Sequence, residues 1–68
     1  MEGHSKMKIV NEDNGTEINN VNITLNKDDI LELIVSLQGL LIEEAGSKYD
    51  HMHFHNDDYS KEIIVTYV

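Results

Sequence analysis

The sequence predicts a small α+β domain ordered β-β-α-β-β, a four-stranded, mainly antiparallel sheet with one helix packed on one face. Three observations predict it. Alternating apolar and polar residues flank an Asn-Gly pair in the first third of the chain. A run with helical spacing follows, with turn residues at each end. Two further strand-like runs close the chain, separated by Asn56-Asp57-Asp58.

The elements follow in order. The first five residues are set aside as a disordered or added N-terminal remnant, and residues 6–68 are taken as one domain. Residues 6–10 place Met7 and Ile9 on one face, and Asn14-Gly15 marks a turn. In residues 18–25, Val21, Ile23 and Leu25 alternate with Asn20, Asn22 and Thr24, which predicts a half-buried strand and makes the first unit a hairpin. Asn26 is the expected N-cap of a helix over residues 27–45, with Asp28 and Asp29 at the positive end of the helix dipole and Gly46 as the C′ residue. The strand over residues 51–55 sends Met52 and Phe54 to one face and His51, His53 and His55 to the other. Residues 61–68 are apolar on both faces, as in a central or doubly covered strand.

On a helical wheel, Ile30, Leu33, Ile34, Leu37, Leu40 and Leu41 form the expected core face. Leu31, Val35 and Ile42 lie beyond it and widen the apolar arc to roughly 220°, against the ~100° that a helix on one sheet requires. Gly39 adjoins this second stripe, where it costs about 1 kcal/mol of helix propensity and admits a close backbone approach. Leu31, Val35, Gly39 and Ile42 are therefore the expected homodimer interface, the alternative being that a curled sheet or terminal segment covers them.

The chain has 68 residues, no cysteine and no proline, with 5 Lys or Arg against 13 Asp or Glu, a net charge of -8. A domain this small buries only roughly 60% of its unfolded surface, and without disulfides its usual supports are a metal or a partner chain. The acidity argues against nucleic acid and permits docking on a basic protein surface, for which Asp28, Asp29, Glu32, Glu43 and Glu44 form the expected acidic face. No secretory or membrane-spanning pattern is visible, so a cytoplasmic location is expected, and no catalytic motif or cofactor signature is present, so no enzyme is expected.

The His51–His55 run carries the second functional reading, a metal-binding protein or minimal metalloenzyme. Residues i and i+2 of a strand share a face, so His53 with His51 or His55 can chelate one ion, with Asp57, Asp58 or Glu62 as a third ligand. A solvated, pH-sensitive histidine face is the alternative.

Tyr49-Asp50-His51-Met52-His53-Phe54, followed by Lys61-Glu62-Ile63-Ile64-Val65, resembles a class of very small bacterial and phage proteins, some of them labelled immunity-like. The resemblance covers residues 18–68 and rests on a hairpin, a leucine-rich helix, a D-H-x-H strand and a closing strand. It implies a binding or inhibitory role against another protein and supplies no catalytic residues; taken with the apolar second stripe of the helix and the acidity, the expected function is a homodimeric immunity or phage anti-defence inhibitor.

Overall fold

The computed structural model describes residues 5–68. Of the expected remnant at residues 1–5, the first four lie outside the described residues; Ser5 accepts a hydrogen bond through Oγ from the Met7 amide at 3.1 Å.

The helix, α1, spans Lys27–Ile42. It begins where it does because Asn26 and Asp29 form a capping box. Asn26 Oδ1 accepts from the Asp29 amide at 2.8 Å, and Asp29 Oδ2 accepts from the Asn26 amide at 3.5 Å. It ends three residues before the sequence predicts. Glu43 is the C-cap, followed by Glu44, and no basic side chain sits in the last turn, so two carboxylates meet the negative end of the dipole. Gly46, at φ 80°, serves a separate turn closed by the Ser47 amide on the Glu44 carbonyl at 3.1 Å.

Strands β1 (His51–His55) and β2 (Glu62–Thr66) pair antiparallel, with His53 opposite Ile64 and Phe54 opposite Ile63. Asn56 organises the connection. Its amide donates to the Lys61 carbonyl, its Oδ1 accepts from the Lys61 amide, and its Nδ2 donates to Ser60 Oγ. Tyr59 sits in this loop at φ 62°, a conformation disfavoured for a side chain of its size.

The expected four-stranded sheet is not formed: among the described residues the sheet has two strands. The N-terminal hairpin is reduced to one bridge, Val10 to Glu17. Its loop competes with strand pairing, because Asn11 and Asn14 turn their Oδ1 atoms onto the Asp13 and Thr16 amides, each at 2.9 Å. Gly15, at φ 74°, completes the turn. Residues 18–25 contain no strand, and Val21 and Ile23 are exposed. Asn19, Asn20 and Asn22 are poor strand formers, and alternation fixes a strand only where a neighbour shares its face.

The consequence falls on the helix. α1 lies against β1, and Leu40 and Phe54 are the buried core. Of the six expected core residues of α1, Leu33 is half-buried and Ile30, Ile34, Leu37 and Leu41 are exposed, Leu41 at 72%. Two strands are too narrow to cover the face that four were expected to cover.

Candidate functional site

Three groups of residues carry the candidate chemistry: the helix surface, the carboxylates and the histidine face of the sheet.

On α1, Leu31 is 52% exposed, Val35 67% and Ile42 83%. Leu31 and Val35 wall an open hollow of about 480 Å³ whose other side is His53, Phe54 and His55. Gly39 and Leu40 wall a second hollow of about 370 Å³ with Glu43, Tyr49, His51 and Met52. Ser36 lines both, so the two hollows share one helix wall. A Cβ built on Gly39 would meet nothing within 4 Å, so no contact among the described residues requires a glycine there. Since Ile30, Ile34, Leu37 and Leu41 are also exposed, the uncovered apolar surface runs around most of the helix and is wider than the second stripe alone.

The five expected acidic residues do not form one patch. Asp28 and Asp29 lie in the first turn and Glu43 and Glu44 follow the last, so the group spans a helix of 16 residues, about 24 Å long. Asp29 is half-buried and committed to the capping box, and Glu43 is the half-buried C-cap. Asp28, Glu32 and Glu44 are exposed and available to a partner.

The three histidines share one face of β1, opposite the face of Phe54, and each has a different neighbour. His51 Nδ1 lies 3.3 Å from Asp50 Oδ1. His53 Nδ1 lies 3.0 Å from Glu62 Oε2, across the diagonal of the strand pair. His55 Nδ1 lies 3.1 Å from the Asn56 carbonyl oxygen, and its ring stacks on Tyr59 with centroids 4.0 Å apart. The rings of His51 and His53 meet edge to face at 5.3 Å.

Of the expected third ligands, Glu62 instead orients a histidine through Nδ1, and Asp58 faces its own loop. Its Oδ1 accepts from the Ser60 amide at 3.0 Å, and hydrogen bonds from the Ser60 hydroxyl and amide hold its carboxyl below the usual range. Among the described residues, no group of three or more His, Asp or Glu side chains is gathered to hold a metal ion. Sequence reasoning missed Asp50 and Tyr59 as histidine neighbours. The first is adjacent to His51 in the chain; the second becomes visible only once the β1–β2 loop is known.

No helix among the described residues is long and apolar enough to cross a membrane. Comparison of the chain with protein-family models, with curated proteins and with solved structures finds no match in any of the three.

Proposed function

We propose that this chain works by binding protein: a homodimer joined through α1, whose remaining acidic surface docks on a basic protein in the manner of an immunity or phage anti-defence inhibitor. The observation that carries the dimer is the exposure of seven large apolar side chains on one helix: Ile30, Leu31, Ile34, Val35, Leu37, Leu41 and Ile42. A core of Leu40 and Phe54 is small support for a 68-residue chain without disulfides. Covering the helix with a second copy supplies the missing burial. Leu31, Val35, Gly39 and Ile42 lie in the proposed joint.

The net charge of -8 and the exposed carboxylates of Asp28, Glu32 and Glu44 support a basic target. Charge of this kind speeds encounter and weakens with salt, while apolar contacts hold the complex. The test has two arms. Sedimentation of the full chain at micromolar concentration reads the dimer. For the target, a protein captured from the expressing cell is purified, and its affinity is measured at low and high salt with the wild-type chain and with Asp28→Asn, Glu32→Gln and Glu44→Gln combined. The proposal expects affinity to fall with salt and to fall in the triple variant. An affinity indifferent to both refutes acidic docking.

A further inference from the structure

The geometry points to His51 and His53 as a two-histidine site for a borderline divalent transition ion, represented by Zn²⁺. Both side chains leave the same face of β1 and both are solvent-accessible, at 43% and 49%. Each Nδ1 faces a carboxylate, Asp50 for His51 and Glu62 for His53. A carboxylate at Nδ1 holds the proton there and leaves the Nε2 lone pair for a metal, the arrangement that orients and strengthens histidine ligands in metal proteins. The two rings are also neighbours, their centroids 5.3 Å apart in an edge-to-face contact, near enough for small side-chain rotations to bring both Nε2 atoms to one ion.

His55 is not part of the site. It would lie ~13 Å from His51 along a five-residue strand, and its Nδ1 and ring are engaged by the Asn56 carbonyl and by Tyr59. Since no third His, Asp or Glu joins the pair among the described residues, water fills the other coordination positions. The site thus has half of a four-ligand set, so binding is expected to be weaker than at a complete structural zinc site. The net negative charge favours any cation in the neighbourhood.

The test uses the full untagged chain carrying His4→Ala, which removes an imidazole outside the described residues. Zn²⁺ is titrated by calorimetry and by the ¹⁵N resonances of the histidine side chains. The expected result is one equivalent bound per chain, with the Nε2 resonances of His51 and His53 moving and those of His55 still. His51→Gln and His53→Gln each abolish the site, His55→Gln leaves it, and Glu62→Gln weakens it about 10-fold without changing the ligands. The inference is overturned if no histidine resonance moves at millimolar Zn²⁺. It is equally overturned if His55 moves with the other two, or if binding survives His51→Gln and His53→Gln. Circular dichroism of each variant separates loss of the site from loss of the fold.

Discussion

Val35→Glu separates the single chain from the dimer. Val35 is in the middle of α1 and is 67% exposed in one chain. Burying a whole valine side chain contributes about 1.5 kcal/mol or more, so the two-thirds still exposed offers roughly 1 kcal/mol per copy. Two copies meet in the joint, which gives about 2 kcal/mol and a roughly 30-fold weakening of association before any charge repulsion is counted. For the isolated chain the expectation is opposite in character. Glutamate is a better helix former than valine, and an exposed substitution changes stability by about 0.5 kcal/mol or less. The assay is sedimentation equilibrium over a dilution series, with urea unfolding of the dilute variant alongside. A wild-type dimer whose dissociation constant is unchanged by Val35→Glu refutes the placement of the joint. A loss of more than about 1 kcal/mol in the dilute monomer would show instead that Val35 is packed within one chain.

Asn26→Ala removes the side chain that accepts from the Asp29 amide, and is expected to cost about 1 kcal/mol of stability by thermal or urea unfolding; an unchanged midpoint would mean that the capping box does not hold the start of α1. Ser60→Ala is expected to raise the Asp58 pKa back toward its ordinary value, read by carboxyl NMR titration, because the Ser60 hydroxyl is the first cause of its depression. The sign follows: a carboxyl with a lowered folded pKa stabilises the fold above its unfolded pKa and loses that contribution as pH falls through the folded pKa. The β1–β2 loop of the wild type therefore loosens only in the acid range, and Ser60→Ala narrows the effect. An Asp58 titration that does not move contradicts the assignment to Ser60.

The parts of the fold that were legible are those decided locally. Asn26, with Asp28 and Asp29 in the turn that follows it, is a helix start whatever the rest of the chain does, and α1 begins after it. The alternation of His51 to His55 sorts the strand faces because β2 is present to share them. The same alternation at Val21, Ile23 and Leu25 yields no strand, since pairing is a relation with a distant segment that no local pattern contains. Gly46 misleads at the other end of the helix: it does take a positive φ, but in a turn beyond Glu43 and Glu44, whose charge ends the helix earlier. The wheel identified an apolar surplus but assigned too much of it to the core, because it assumed a sheet of four strands. At the candidate site, Asp29 and Glu43 look like free charges in the sequence, whereas in the structure Asp29 is the capping-box partner of Asn26 and Glu43 is the C-cap. The His51–His53 spacing was visible in the letters, whereas the placement of Glu62 on Nδ1 depends on the strand register.

Self-association is the central claim, and the mass of the full chain in solution tests it most directly. Sedimentation equilibrium at micromolar concentration should return twice the 7.8 kDa of one chain, falling toward the mass of one chain on dilution. A mass of 7.8 kDa at every concentration, with the helical signal intact, would contradict it.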